Sequence, residues 1–251
     1  MDDLARRLCA ALAGIESGAM LELAAARLLG EVAAPEAARA LASLLAQRGP
    51  TADVRHALVG LCRALLPDSP LPAEQRAAIH RAAAADHHPA VVALFTTAAP
   101  ALPPVGAKLG TARPPDDETL GHRTQRARSE RSRDGMIRLG RDDDPAVIRN
   151  VLLNARMTEA GVVRIAARRP VPAAVLEEVA RSRRWGDRPA IRRVLVQNPF
   201  TPTPIATALL PHLGAAELRE VAEDPVVHPA VRAGARALLS ARRPATSPPA
   251  E

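Results

Sequence analysis

One segment recurs three times in the second half of the chain and constrains the fold more than any other feature. Asp144-Pro145-Ala146-Val147-Ile148-Arg149 is followed by Asp187-Arg188-Pro189-Ala190-Ile191-Arg192 and then by His228-Pro229-Ala230-Val231-Arg232. The apolar-Arg pair falls at 148, 191 and 231, intervals of 43 and 40 residues. Proline fixes φ near the helical value and gives up an amide that the first turn leaves unpaired anyway, so each segment predicts a helix start. The preceding Asp144 and Asp187 are placed to cap free amides and to offset the helix dipole.

The rest of each period repeats as well. The first two helices run to Asn154 and Asn198, residues that tolerate the left-handed cap. Thr158-Glu159 and Thr201-Pro202 then restart the chain as N-caps. Val162, Ile165 and Ala166 share a helical face, as do Ile205, Ala208 and Leu209. A third helix carries Leu176, Val179 and Ala180 in one period and Leu218, Val221 and Ala222 in the next.

The first hundred residues are also helical by spacing. Leu4, Leu8 and Leu12 lie four apart, Leu41, Leu44 and Leu45 share a face, and Val54, Leu58, Leu61 and Leu65 form another stripe. Gly49-Pro50, Pro67 to Pro72 and His88-Pro89 separate these helices. The expected layout is a helical block over 1–99, a Pro-rich linker over 100–117 and an Arg-rich connecting segment over 118–141. HEAT-like repeats over 142–240 and a disordered tail over 241–251 complete it.

A period of about 40–47 residues with two or three helices per unit is the pattern of HEAT and armadillo repeats. The Asp-Pro-x-x-(Val/Ile)-Arg segments resemble the second-helix motif of HEAT repeats, and Val54-Arg55-His56-Ala57-Leu58 resembles it too. The resemblance covers 142–240, with a fainter version over 21–99. It implies an all-α fold, an α-solenoid of stacked units. Proteins of this kind act mostly as binding scaffolds; a few bind nucleic acid and rare ones are enzymes.

Charge is the second constraint. Residues 1–100 carry 9 Arg against 10 Asp and Glu, whereas residues 101–251 carry 25 Lys and Arg against 17 acids. Seven arginines lie within Gly121–Arg141, facing only Glu130 and Asp134. Arg123, Arg126, Arg128, Arg131 and Arg133 do not keep to one helical stripe, so this segment is either a solvated basic arm or a partner for something acidic. Arg149, Arg192, Arg193 and Arg232 recur after the helix-start prolines. Stacked units would align them as a column that binds an acidic partner or phosphates, or as a ladder of contacts to the next unit.

Chemical motifs are sparse. The sequence has no phosphate-cradling Gly loop, no His-Glu-x-x-His and no Gly-x-Ser-x-Gly elbow. Asp86-His87-His88 and Asp142-Asp143-Asp144 are the densest sets of metal-ligand types, and each reads as a helix N-terminus, its polar side chains placed to cap the helix that the following proline starts. Trp185-Gly186-Asp187 resembles the aromatic-carboxylate pairing of HEAT-like alkylpurine DNA glycosylases. With one Trp, two Phe and no Tyr, the chain lacks the aromatics to stack a flipped base, and Trp185 reads as a packing residue. Cys9 and Cys62 read as buried small hydrophobes. Residues 89–107 are uncharged, but Pro100, Pro103 and Pro104 interrupt them, which excludes a membrane span there.

The sequence therefore predicts a cytoplasmic, non-enzymatic scaffold with no cofactor and no metal. Its expected partner is another protein with an acidic surface, bound through Arg123, Arg126, Arg128, Arg131, Arg133, Arg149, Arg192, Arg193 and Arg232. Sequence-independent nucleic-acid binding through the same arginines is the alternative.

Overall fold

The computed structural model describes residues 2–47, 50–96 and 118–243. The expected linker over 100–117, the breaker Gly49 and residues 244–251 of the expected tail lie outside the described residues. Among the described residues the chain is all helix, with no strand.

Six α-helices come from the first hundred residues: α1 (Asp3–Leu12), α2 (Gly18–Glu31), α3 (Ala34–Leu45), α4 (Ala52–Ala64), α5 (Ala73–Ala85) and α6 (Pro89–Val92). Nine follow: α7 (Leu120–Ser129), α8 (Arg133–Leu139), α9 (Pro145–Leu153), α10 (Glu159–Ala166), α11 (Ala173–Arg181), α12 (Pro189–Gln197), α13 (Thr203–Leu209), α14 (Ala215–Glu223) and α15 (Pro229–Ala241). Each recurrent proline starts a helix, at Pro145, Pro189 and Pro229. The order α9–α10–α11 is repeated by α12–α13–α14, so one sequence period holds three short helices.

The helices form two compact units. Unit 1 comprises Met1–Thr97 with Thr207–Asp224 and Ala230–Glu251. Unit 2 comprises Ala98–Ala206 with Pro225–Pro229. Residues 207–224 and 230–243, which the sequence groups with the repeats before them, thus share a unit with the N-terminal helices.

Unit 1 is held together by packing between helices two or three apart in the chain: α1 on α3 and α4, α2 on α4, and α3 on α5 and α6. The contacts are supplied by the predicted stripes. Leu8, Leu12, Leu41, Leu44, Leu45, Val54, Leu58, Leu61 and Leu65 are all buried. Full burial of each such side chain contributes about 1.5–3 kcal/mol. Thr51 caps α4, its hydroxyl oxygen accepting from the Val54 amide. The α2–α4 approach depends on Gly60, where a Cβ would stand 2.7 Å from Leu21 Cγ.

Unit 2 follows a similar two-apart pattern: α7 on α9, α9 on α11 and α10 on α12. Val147, Ile148, Val151, Val162, Ile165, Leu176, Val179, Ile191 and Leu195 form its core. The segment expected as a connecting stretch, 118–141, is largely helical and packs α7 and α8 on α9. Asp144 caps α9 through the Ala146 amide, and Thr158 caps α10 through the Gly161 amide, as predicted.

Three local expectations are corrected. Asn154 and Asn198 are not left-handed caps; both have negative φ and extended ψ. Asp187 does not cap α12, because Arg188 takes the N-cap position and the Asp187 carboxylate turns to Arg192. Thr201 does not cap α13; it is buried, and its hydroxyl donates to the Leu195 carbonyl near the end of α12.

Candidate interaction surface

The arginines of unit 2 divide into those spent on internal contacts and those that face solvent. The internal set is built around helix ends, where the last carbonyls lack intrahelical donors. Asn154 Nδ2 donates to the carbonyls of Ala127, Arg128 and Glu130 around the end of α7. Asn198 Nδ2 donates to those of Ala166 and Arg168 at the end of α10. Arg168 reaches the Gly140 and Asp142 carbonyls, and Arg184 reaches those of Asn154 and Met157. Guanidinium forks thus complete helix termini that short loops leave open.

Four of the nine predicted contact arginines belong to this internal set. Arg123 pairs with Asp142, and its Nε is buried without a hydrogen-bond partner. Arg126 lies 3.3 Å from Glu118 and 3.5 Å from Glu130. Arg149 forms a two-pronged pair with Glu178 of α11, which raises the arginine pKa through hydrogen bonding and then charge. Arg192 is buried, at 9% exposure, and lies 2.9 Å from Asp187. The recurrent arginines therefore sit in unlike settings. Arg193 is exposed, whereas Arg232, in unit 1, is half-buried with a buried and unpartnered Nε.

The acidic triplet is consumed in the same way. Asp142 accepts from Arg123 and from the Asp144 amide, Asp143 pairs with Arg168 at 2.6 Å, and Asp144 caps α9. Every carboxylate of the triplet has a protein partner. The expected capping role of Asp86-His87-His88 is corrected: Asp86 closes the C-terminus of α5, His87 takes a φ of +56° in the turn, and His88 precedes α6 without a side-chain cap. No group of three His, Cys, Asp or Glu among the described residues is arranged to hold a metal.

Trp185-Gly186-Asp187 is likewise occupied by internal contacts. Trp185 is buried, and its Nε1 donates to the Leu152 carbonyl at 2.9 Å. The Arg184 and Arg188 guanidinium carbons lie 4.4 and 5.2 Å from the ring centroid. A Cβ on Gly186 would collide with the Ala180 carbonyl, so the chain turns there only as glycine. Asp187 is the Arg192 partner.

What remains open is the outer face of α8 and the turn before it. Arg128, Arg131 and Arg133 are exposed, and so are Arg138 and Arg141, which the sequence reading did not single out. Helical spacing places Arg133, Asp134, Ile137 and Arg138 within one half of the helix, opposite buried Gly135 and Leu139, and Arg141 follows in the turn after the helix end. Ile137 is 38% exposed in the middle of them. The signal was present as a four-residue spacing of Arg133, Ile137 and Arg141. Asp134 is the one acid on this face. The nearby Glu130 is engaged: the Ser132 amide and hydroxyl, the Arg131 amide and Arg126 hold its carboxyl below the usual carboxylate range.

No described helix is long and apolar enough to cross a membrane. Comparison with known proteins finds no match among family models, curated proteins or solved structures.

Proposed function

We propose that this chain is a HEAT- or armadillo-like helical-repeat scaffold that binds an acidic protein surface through the outer face of α8. The observation that carries the reading is Ile137, an exposed apolar side chain on the face of α8 that also holds exposed Arg133 and Arg138, with exposed Arg141 just past the helix end. An exposed apolar residue flanked by cations suits a protein partner, where a buried centre supplies affinity and charge supplies orientation. The three-helix period and the buried third-helix faces support the solenoid part of the reading.

The test is capture of partners by the full chain compared with the triple variant Arg133→Glu/Arg138→Glu/Arg141→Glu. The same proteins should be lost from the variant, with its thermal unfolding unchanged. Equal recovery by both chains rejects the reading.

Sequence-independent phosphate binding is the second reading, favoured by Arg128, Arg131, Arg133, Arg138 and Arg141, which are exposed and make no ion pair among the described residues. It predicts duplex binding that weakens with salt by a slope of about −0.9 per phosphate contact. Single-strand recognition is disfavoured: Trp185 and Phe200 are buried, and Phe95, half-buried beside the His80 ring, is the one aromatic left with a partly open face.

A further inference from the structure

Four arginines the sequence reading passed over meet in unit 1. A groove of about 660 Å3 between α14 and the end of α15 is lined by Arg219, Arg236, Arg242 and Arg243, with Leu239 on its wall and Glu223 as its one acid. All of these residues belong to unit 1.

The arginines have different roles in the groove. Arg242 is anchored: Nε donates to the Leu45 carbonyl, Nη1 to that of Leu213 and Nη2 to that of Pro211, at 3.2, 2.9 and 2.6 Å. Burial pulls its pKa down, yet a guanidinium keeps its charge at neutral pH. Arg236 is half-anchored, with Nη2 on the Ala222 carbonyl at 2.9 Å. Arg219 and Arg243 are exposed and make no ion pair among the described residues. The groove thus presents two positioned cations and two movable ones against a single carboxylate.

We propose that this groove binds a small organic phosphate, held by Arg219, Arg236 and Arg243 over the fixed charge of Arg242. The volume falls in the range of small-molecule sites, about 300–1,000 Å3. Guanidinium forks match phosphate oxygens two at a time, and a phosphate brings more charge and more acceptor oxygens than a carboxylate. No aromatic residue lines the groove, so the ligand is recognised through its phosphates and not through a stacked base. This inference does not rest on the α8 surface.

The probe is inorganic pyrophosphate, titrated calorimetrically into the full chain at about 150 mM salt, where screening removes loose attraction. Citrate is the polycarboxylate control. Pyrophosphate should saturate one site, bind more tightly than citrate and raise the thermal midpoint. Arg219→Gln/Arg243→Gln should weaken it by about ten-fold or more, a loss equivalent to one charge-assisted contact, with the ligand-free midpoint unchanged. The α8 triple variant should bind pyrophosphate normally. Absence of saturation at millimolar pyrophosphate, equal affinity for citrate, or indifference to the Arg219/Arg243 change would each overturn the proposal. Loss of binding in the α8 variant would overturn it too, by moving the site.

Discussion

Asn198 makes, at the end of α12, the hydrogen bonds that Asn154 makes at the end of α9. In each case Nδ2 donates to carbonyls at the end of the helix packed alongside, α10 or α7. In each case Oδ1 accepts the amide two residues on, that of Phe200 or of Arg156. Exposure is 2% and 3%, so no water replaces these bonds. One side chain therefore fixes the end of its own helix and the end of its neighbour.

Replacing either asparagine by alanine strands buried carbonyls and should cost about 2–4 kcal/mol. Asn→Asp should be no milder, since it sets a carboxylate against carbonyl oxygens. Denaturant unfolding of Asn154→Ala and Asn198→Ala checks this; a loss below about 1 kcal/mol at either site contradicts the equivalence.

Arg149 and Arg192 occupy matching places in the sequence period and should respond differently to truncation. Arg149 is exposed, so Arg149→Ala should cost about 0–1 kcal/mol despite its two-pronged pair with Glu178. Arg192 is buried, and Arg192→Ala should cost about 1–3 kcal/mol through lost packing as well as the lost pair. The order of the two denaturation midpoints decides the matter.

Gly60→Ala should destabilise unit 1 by about 1–3 kcal/mol, because the new methyl meets Leu21 across the α2–α4 contact. Far-ultraviolet circular dichroism during urea unfolding would show it. A neutral result would mean that α2 shifts without loss.

Burial, and secondarily the charge of Asp53, raises the Cys9 pKa, and Cys62 is buried in α4. Neither thiol should react with an aromatic disulfide reagent in the native protein at pH 8, and both should react once denaturant is added. Rapid native labelling would show that the α1–α4 packing opens readily.

The lowered pKa of Glu130 links the turn between α7 and α8 to acid. A carboxylate held below its unfolded value adds stability that is present above the ordinary range, about pH 4.3, and lost as pH falls through the lowered native value. Glu130→Gln should flatten the pH dependence of stability on the acid side of that range. Parallel curves for the two chains would assign the acid response to other groups.

Much of the architecture was legible in the sequence because it rests on local rules. The prolines at 145, 189 and 229, the Asp144 and Thr158 caps and the apolar faces of α11 and α14 need only neighbours within a turn or two. The errors arise where a side chain has a distant alternative. Spacing alone makes Asn154 and Asn198 backbone caps, but their partners lie 24 to 32 residues earlier in the chain. Asp187 stands where a cap belongs, and Arg192, five residues on, claims it. The candidate surface was half legible. Counting arginines located the region, but only the burial pattern separates Arg123 and Arg126, which are engaged, from Arg138 and Arg141, which are open.

Trp185 has a practical consequence. With a single Trp and no Tyr in the chain, red-edge ultraviolet excitation addresses one ring, buried in unit 2 beside two guanidinium groups. Its emission is a native label that needs no engineering. A spectroscopist following it would record the melting of unit 2, and unit 1 would be silent in that emission.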